Sequence, residues 1–476
     1  MDQKDMVNHM VEDDFVIFDR NSQKKYTALL LPYLLKILDV GDSFLVIDPE
    51  YKLLSQTGER FKEKGYEVIS INLRYPENSN SWNPLLLPYQ AFSDNDMENC
   101  LNLLNDIGIN VMNNYSLKQD EDPYWTSTSI DLFVGLALIL FKEADDINQI
   151  NLKSIYHMAD KGFEKFGRST ILKKYIEKLD DYDFSKKAIM SVISAPSDTR
   201  SSILSVFYQK LRTLTNRDKF VDNISKSDFD LIKILDSKSA IFICFEDENA
   251  TDCAFVYMFI IQVFELLIRK RTHVKVNCTC YHMIFNNFLS LGACYGFERL
   301  LISSKSRGIK IALDINSISL LKKTYGNNMA NFILSFCSMW IIRTTREIDI
   351  LKIVKSLSSF TKQTSNHVKS PFELTSNEAM VMYDGKEPMV IPLNDNTLIA
   401  NNYQHYVDNI DFKIDVFKID ELVKERGKLE IFNQLPNSDN DLDYKEKVDD
   451  IIISIDKKIA ELEVKEKIDK LKGATN

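Results

Sequence analysis

Glycine is the residue that this sequence most lacks. The chain has 14 glycines in 476 residues, roughly 3% where about 7% is average. Loops that bind phosphate groups use glycine, because successive backbone N–H groups must turn inward onto the ligand. The low glycine content therefore disfavours a phosphate-binding loop of the usual kind.

Long apolar segments are also missing. The longest apolar runs are Leu132–Phe141 and Phe255–Ile268, and Gln262 and Glu265 interrupt the second. A membrane span needs about 18 or more unbroken apolar residues. The N-terminus, MDQKDMVNHMVEDD, is acidic and has no apolar region of the signal-peptide type. We therefore expect a soluble, cytoplasmic protein that reaches the inner face of a membrane only through a partner.

Positive charge in excess is absent too, since the formal net charge is -10. This argues against attraction of the whole surface to nucleic acid or acidic lipid, although a local basic patch stays open. Seven scattered cysteines indicate reduced, buried thiols. Cys278, Cys280 and His282 alternate, but no second ligand pair follows at zinc-site spacing, so we expect no metal.

Alternation of strands and helices is the main pattern that the sequence does have. Short apolar strands are separated by segments with helical spacing, which is typical of a parallel sheet. The predicted order is strand Phe15–Phe18, helix Thr27–Leu38, strand Phe44–Asp48, helix Leu53–Lys64 and strand Glu67–Leu73, with a polar loop over Asp19–Lys25.

A helical region interrupts this pattern. From about Asn83 to Ser227 the periodicity is helical, and strands resume with Ala240–Phe245. The sequence thus predicts an α/β domain in two parts, residues 1–84 and 228–420, with an all-α domain inserted at 85–227.

The remaining residues, 421–476, read as a polar linker and an amphipathic helix, Tyr444–Lys472. Its apolar residues recur at 4-3-4-3 spacing, like a short coiled coil. Docking on the chain's own domain and pairing with a partner helix both stay open.

Six segments carry a resemblance to a known family. In chain order they are FLVIDPEYKLLSQTG (44–58), GYEVISINLRYPENSNSWNP (65–84), DPYWTSTSIDLFVGLALIL (122–140), FERLLISSKSRGIKI (297–311), NSISLLKKTYG (316–326) and SPFELTSNEAMVMYDGKEPMVIPL (370–393). Together they resemble the TraG/TraD-like (VirD-type) coupling ATPases of type IV secretion and conjugation, which are relatives of the FtsK translocases. The resemblance implies a RecA/FtsK-like P-loop NTPase fold with a parallel-rich sheet, an inserted all-α domain and a C-terminal helical tail.

The segment that matches the family's phosphate-binding loop departs from its pattern. It has no glycine, and it holds Asn21, Ser22, Gln23, Lys24, Lys25, Tyr26 and Thr27. Counted back from Pro32, Lys25 takes the lysine position and Tyr26 the position of the Mg²⁺-binding hydroxyl. A phenol cannot coordinate from the same backbone site as a serine, and Thr27 would serve only after a shift of one residue. The alternative is a solvated basic loop that opens a helix.

The acidic positions of the family are changed as well. The resemblance places Asn286 and Asn287 where the family has the Asp and Glu that hold Mg²⁺ and activate water, and Asn316 where it has a glutamine. An amide loses the charge that attracts Mg²⁺ and cannot accept a proton near neutral pH. Near Asp48, Glu50-Tyr51-Lys52 replaces the family's Lys-Gly-Glu. Two asparagines that hydrogen-bond at a strand end are the structural alternative.

Some basic residues survive. Lys305 and Arg307 stand where the family has Arg-Ser-Arg, so the resemblance makes them subunit-interface candidates that face a neighbour's nucleotide or a central channel. An ordinary exposed helix end explains them equally well.

These features predict a catalytically degenerate coupling-protein homologue, a pseudo-ATPase without a cofactor. It would recruit substrate or relaxosome components, or assemble with an active coupling ATPase or a membrane-anchored partner. The alternative is a soluble ATP- and Mg²⁺-dependent DNA- or protein-translocating ATPase in which Asp314 or Glu298 replaces the missing acid. Contact with DNA, homo- or hetero-oligomerisation, and an unrelated function on a remnant scaffold stay open.

Overall fold

The computed structural model describes most of the chain. The described residues are 1–19, 22–112, 123–166, 169–246, 250–271, 279–294, 296–343, 347–360, 369–383, 386–394, 403–405, 407 and 414–433. The predicted helix Tyr444–Lys472, Cys278 and Asn21 lie outside them.

A nine-stranded sheet organises the fold, in the order β11-β10-β9-β1-β8-β7-β2-β6-β3. Its strands are parallel except β10, which runs antiparallel to both neighbours. A separate pair, β4 and β5, forms a small hairpin. The strands are β1 Phe15–Phe18, β2 Ser43–Ile47, β3 Glu67–Asn72, β4 Lys165–Phe166, β5 Ser169–Thr170, β6 Ser239–Cys244, β7 Tyr281–Phe285, β8 Ile309–Asp314, β9 Met339–Ile342, β10 Glu378–Tyr383 and β11 Met389–Pro392.

Helices fill most of the remaining described chain. The α-helices are α1 Gln3–Glu12, α2 Ser22–Lys25, α3 Leu31–Val40, α4 Lys52–Glu63, α5 Leu86–Ser93, α6 Met97–Met112, α7 Pro123–Glu143, α8 Leu152–Gly162, α9 Ile171–Glu177, α10 Phe184–Ser194, α11 Ser197–Thr215, α12 Asp218–Ser225, α13 Leu231–Ile234, α14 Ala250–Arg271, α15 Phe297–Ser304, α16 Ile318–Phe336, α17 Ile348–Phe360 and α18 Ile419–Asn433. A π-helical turn, Tyr26–Leu30, joins α2 to α3.

The central strands are apolar because both faces of the sheet are covered. Every residue of β1, β2, β6 and β7 is buried. On one face, side chains of α1, α3 and α4 pack against the strands, with Met10, Tyr33 and Phe61 in the same core cluster as Phe44. This arrangement confirms the α/β fold with a parallel-rich sheet that the sequence predicts.

The helical region falls between the two groups of strands. The sheet takes its strands from residues 15–72 and 239–392, and the described residues between them form α5–α13 with only the short β4–β5 hairpin. By its internal contacts, the chain divides into two compact units, residues 1–159 with 180–417, and residues 160–179 with 418–476. The predicted boundaries at 84, 227 and 420 stay predictions.

Helix α7 is the one helix in the described part of the chain that is long and apolar enough to cross a membrane, over Tyr124–Glu143. Two thirds of its most apolar window, 67%, is buried inside the protein. The core helix of a soluble protein has the same length and composition, so this helix is weak evidence for a membrane span.

One predicted segment differs from the structure. The polar loop predicted for Asp19–Lys25 is helical from Ser22 onward, because α2 and the π-helical turn extend the next helix backwards. Helix α18, Ile419–Asn433, enters the predicted region 421–476, and the division of that region into a linker and a helix stays a prediction. Within the segment 370–393 that carries part of the family resemblance, β10 and β11 pair as antiparallel strands.

A short extended segment lies along α4. The Tyr403 N–H donates to the Ser55 carbonyl at 3.0 Å, and the His405 imidazole meets the Asn80 amide oxygen at 2.7 Å. The Tyr403 ring lies against Gly58, where an added Cβ would come within 2.3 Å of the ring. Only glycine permits this close approach at position 58.

Candidate functional site

The carboxyl ends of the parallel strands meet at one edge of the sheet, which we call the carboxyl edge. Asp19 follows β1, Asp48 follows β2, Asn286 follows β7 and Arg343 follows β9, while Asp314 is the last residue of β8. All five are buried. Ligand sites of open α/β sheets lie outside this edge, so it is the place to examine for chemistry.

The chain after β1 turns its side chains inward at this edge. In the π-helical turn the Leu31 N–H donates to the Tyr26 carbonyl, five residues back. Pro32 has no N–H for the Ala28 carbonyl, and the Gln3 amide of α1 donates to that carbonyl instead, at 2.9 Å. Lys25 and Tyr26 are consequently buried at the head of the helix.

Lys25 forms a buried ion pair. Its Nζ lies 2.6 Å from Oδ2 of Asp314, and the two side chains are 7% and 4% exposed. The same carboxylate oxygen accepts the Asn287 N–H at 2.9 Å. Charge-assisted hydrogen bonds of this length are among the stronger ones in proteins. The positive charge of Lys25 is therefore already neutralised by the chain itself.

Tyr26 lies beside this pair. Asn286 Nδ2 donates to the Tyr26 hydroxyl at 2.8 Å. Burial, together with the nearby Asp48 carboxyl, raises the pKa of Tyr26 far above its usual value. The phenol is therefore uncharged at any physiological pH and acts only as a hydrogen-bonding group.

Asp48 closes the other side of the site. Its carboxylate accepts the backbone N–H groups of Lys52 and Leu54, at 3.1 and 3.0 Å, in the first turn of α4. Tyr51, just before the helix, has a left-handed backbone with a φ of 59°. Burial nevertheless raises the pKa of Asp48 to about 6. The Lys52 ammonium lies 5.2 Å from the centre of the Tyr26 ring and pairs with Glu50.

A second buried ion pair holds the start of the loop. Arg343 donates to Asp19 at 3.1 Å, with exposures of 1% and 0%, and to the Ser376 carbonyl at 2.9 Å. Lys24 donates to Asn377 at 2.5 Å. The turn before β10 therefore anchors this segment. Sequence reasoning missed Arg343, although an arginine directly after the apolar strand MWII is a visible signal.

The other predicted site residues are dispersed. Thr27 is half-buried, and its hydroxyl lies 3.5 Å from the Lys24 carbonyl. Asn287 has a left-handed backbone, with a φ of 55°. Asn316 is exposed just before α16. For Ser22 and Gln23 only the helical backbone is described.

The two acids that could replace the missing catalytic acid lie in different places. Asp314 lies in the site beside Lys25, whereas Glu298 is exposed on α15. The structure thus brings together Lys25, Tyr26, Asn286 and Asn287 with Asp48 and Asp314.

Lys305 and Arg307 lie at the opposite edge, in a 3₁₀ turn before the first residue of β8. The Lys305 ammonium lies 4.6 Å from the centre of the Phe336 ring. Arg307 donates to the Ser303 carbonyl at 3.0 Å. Within one chain they are therefore remote from Lys25, and their role at a subunit interface stays a prediction.

The amino edge of the sheet holds a different buried network. His282 is fully buried, with Nε2 at 3.0 Å from Asp42 Oδ2 and Nδ1 at 2.9 Å from the Tyr33 hydroxyl. Burial lowers the pKa of His282. A neutral imidazole therefore donates to Asp42 through Nε2 and accepts from Tyr33 through Nδ1.

A family model described as type IV secretory system conjugative DNA transfer matches residues 24–386 of the sequence. No curated protein matches it significantly.

Solved structures of the bacterial conjugative coupling protein TrwB are similar in fold. The unbound form is 16% identical, with a TM-score of 0.58 over 85% of this chain and 89% of that one. TrwB with the non-hydrolysable ATP analogue ADPNP is also 16% identical, with a TM-score of 0.60 over 83% and 88%. TrwB with ADP and Mg²⁺ gives 0.59 over 84% and 89%, again at 16% identity.

Proposed function

The chain belongs to the type IV secretory system conjugative DNA transfer family, and within that family we propose that it is a coupling-protein homologue that does not hydrolyse ATP. The family match confirms the resemblance to TraG/TraD-like coupling proteins, and the likeness to TrwB confirms a P-loop NTPase type of fold. The loss of hydrolysis is the step that we propose beyond them.

The observation that carries this proposal is the buried Lys25–Asp314 pair with the Tyr26–Asn286 hydrogen bond beside it. A phosphate that engaged Lys25 would have to separate a buried ion pair and leave the Asp314 carboxylate without its cation. Breaking such a pair costs about 3–5 kcal/mol. A nucleotide would have to repay this cost before it gained any affinity.

Other residues of the site also do not fit a Mg²⁺-nucleotide complex. The position of the Mg²⁺-binding hydroxyl is held by Tyr26, whose hydroxyl is already bonded to Asn286. Asn286 and Asn287 cannot take a proton from an attacking water near neutral pH. Asp48, Glu50 and Asp314 all lie close enough to Tyr26 to raise its pKa, and such negative charge disfavours a polyphosphate.

A coupling-protein scaffold without turnover would act by binding. We propose that this chain recruits substrate or relaxosome components, or assembles with an active coupling ATPase, in the cytoplasm and at the membrane through a partner. The family match supports the link to conjugative DNA transfer.

The first test is calorimetric titration of the purified chain with ATP and Mg²⁺, together with an assay for phosphate release. We expect no heat of binding at nucleotide concentrations up to hundreds of micromolar, and no turnover with or without DNA. An active coupling ATPase serves as the positive control. Micromolar ATP affinity with turnover that Lys25→Ala abolishes would contradict the proposal.

A second candidate function has one observation in its favour. The Asp314 carboxylate lies at the site, so a translocating ATPase could use it as the replacement acid. This candidate predicts DNA-stimulated ATP hydrolysis that Asp314→Asn abolishes. The matched control is Glu298→Gln, which changes an exposed acid on α15 and should leave any hydrolysis intact.

A further inference from the structure

The site contains a cation of its own. We infer that the Lys25 ammonium is a resident cation that occupies, from within the chain, a small cation-selective site formed by Asp314 and Asn286. The inference rests on the proposed function, since it explains what the site holds in place of a Mg²⁺-nucleotide complex. It predicts that the site accepts a small free cation when the lysine side chain is removed.

Asp314 needs a positive partner. A carboxylate that is only 4% exposed is costly to bury unless it is paired and hydrogen-bonded. Among the residues that the structure describes, Lys25 is the one base within ion-pair distance of it, and the Asn287 N–H supplies a further donor. Lys25 is therefore the positive group that pairs with the buried Asp314 carboxylate.

Asn286 lies next to Asp314 on the same face of the sheet. Phe285 of β7 pairs in register with Leu313 of β8, so the two residues that follow are neighbours. Asn286 Oδ1 and Asp314 Oδ1 are both buried, and neither has a hydrogen-bond partner within the described ranges of the chain. Two unpaired acceptors favour a cation or a hydrogen-bond donor over an anion.

The surrounding charge has the same sign. The acids that raise the pKa of Tyr26 are Asp48, Glu50 and Asp314, whereas the two lysines near its ring are Lys25 and Lys52. Three acids against two bases leave one negative charge in excess, and loss of Lys25 would leave two. Since like charges repel, the vacated site would still reject phosphate and would attract cations.

Chemical rescue of Lys25→Ala is the test. The substitution removes the equivalent of a propylammonium ion, so the thermal midpoint of this variant is measured with increasing propylammonium chloride. We expect the midpoint to fall by on the order of 5 °C relative to the wild type, and propylammonium to restore a large part of that loss. Neutral 1-propanol, and sodium chloride at equal ionic strength, should restore none.

The site itself is tested by the double variant Lys25→Ala with Asp314→Asn. Without the carboxylate, propylammonium should have no more effect than on the wild type. Equal stabilisation by propylammonium and propanol, or equal rescue of the double variant, would overturn the inference.

A second measurement applies if Lys25→Ala does not fold. Lys25→Met keeps the apolar stem of the side chain but leaves Asp314 unpaired. Adding Asp314→Asn to Lys25→Met should therefore raise the thermal midpoint of that variant. In the wild type, the same Asp314→Asn change should lower the midpoint. Lowering in both backgrounds would show that Asp314 does not depend on the Lys25 charge.

Failure of this inference and failure of the proposed function can be told apart. ATP binding by the wild type would contradict the proposed function whatever the rescue shows, and failure of the rescue would contradict only the resident cation.

Discussion

The two edges of the nine-stranded sheet bury polar side chains in different ways. At the carboxyl edge, two full ion pairs are buried, Lys25–Asp314 and Arg343–Asp19. At the amino edge, a neutral His282 links Asp42 to Tyr33. Buried ion pairs seldom stabilise a fold more than apolar packing would, whereas removal of one partner is expensive. The buried charges of the carboxyl edge are thus paired with each other, as the proposed function requires.

The largest effect is expected for Arg343→Met at the carboxyl edge. It leaves Asp19 buried without a cation, so the free energy of unfolding should fall by about 3–5 kcal/mol in chemical denaturation. The control is Lys322→Met, which breaks the more exposed pair with Asp349 and should cost less than about 1 kcal/mol. Similar losses for both variants would remove the distinction between buried and exposed pairs.

The next effect concerns Asp48, the buried acid of the carboxyl edge that is held mainly by backbone N–H groups. Its folded pKa of about 6 lies above the unfolded value of about 3.9. An acid with a raised pKa binds its proton more tightly in the folded state. The stability that Asp48 contributes is therefore complete below pH 4 and is lost as the pH rises through 6. The unfolding free energy of Asp48→Asn minus that of the wild type should therefore rise by about 2–3 kcal/mol between pH 4 and pH 7.5.

The measurement is the difference in unfolding free energy between Asp48→Asn and wild type at the two pH values. Asp349→Asn is the control of opposite sign, because Lys322 lowers the pKa of Asp349. The stabilising contribution of Asp349 is lost as the pH falls. A pH-independent difference for Asp48→Asn would mean that its carboxyl does not titrate between these values.

At the amino edge, Tyr33→Phe removes the hydroxyl that His282 Nδ1 accepts from. The expected loss is about 1–2 kcal/mol, the cost of one unsatisfied buried group, and it should be smaller than for Arg343→Met. Tyr182→Phe, at a tyrosine that is 81% exposed, should be neutral. A loss for Tyr33→Phe as large as that for Arg343→Met would show that neutral and charged networks cost the same to break.

The smallest effect is expected for Gly58→Ala on α4, which tests how the segment Tyr403–His405 is held against that helix. The added Cβ would collide with the Tyr403 ring, so this segment should detach while the sheet stays folded. Hydrogen exchange should rise at Tyr403, whose N–H is bonded to Ser55. Gly427→Ala in α18, where the Cβ meets nothing within 4 Å, should leave exchange unchanged at Tyr403.

The sequence predicts the elements whose signal is local. The run Phe44–Ile47 reads as a buried strand because it is apolar throughout, and it forms most of β2. The segment SQKK reads as solvated loop, yet α2 is helical, because the π-helical turn joins it to α3 in a way that spacing does not reveal.

The site was predictable only in part. The resemblance identifies Lys25, Tyr26 and Asn286 as site residues, and the structure brings them together. Which side chains pair with each other could not be predicted from the sequence. The Tyr26–Asn286 hydrogen bond joins residues 260 positions apart, and the Lys25–Asp314 ion pair joins residues 289 positions apart. Such contacts follow from strand order, which a single sequence does not give.

That strand order has a consequence for how the chain folds. None of the first three strands pairs with another of them, since β1 lies between β9 and β8, β2 between β7 and β6, and β3 against β6. During synthesis, β1 to β3 therefore emerge before any of the strands that they pair with in the described part of the chain, of which β6 at residue 239 is the first. Folding that depends on such distant pairings is slow, and unpaired apolar strands are prone to aggregate. The helices between the two groups of strands can form first. We expect the cell to need chaperones for as long as β1 to β3 are unpaired.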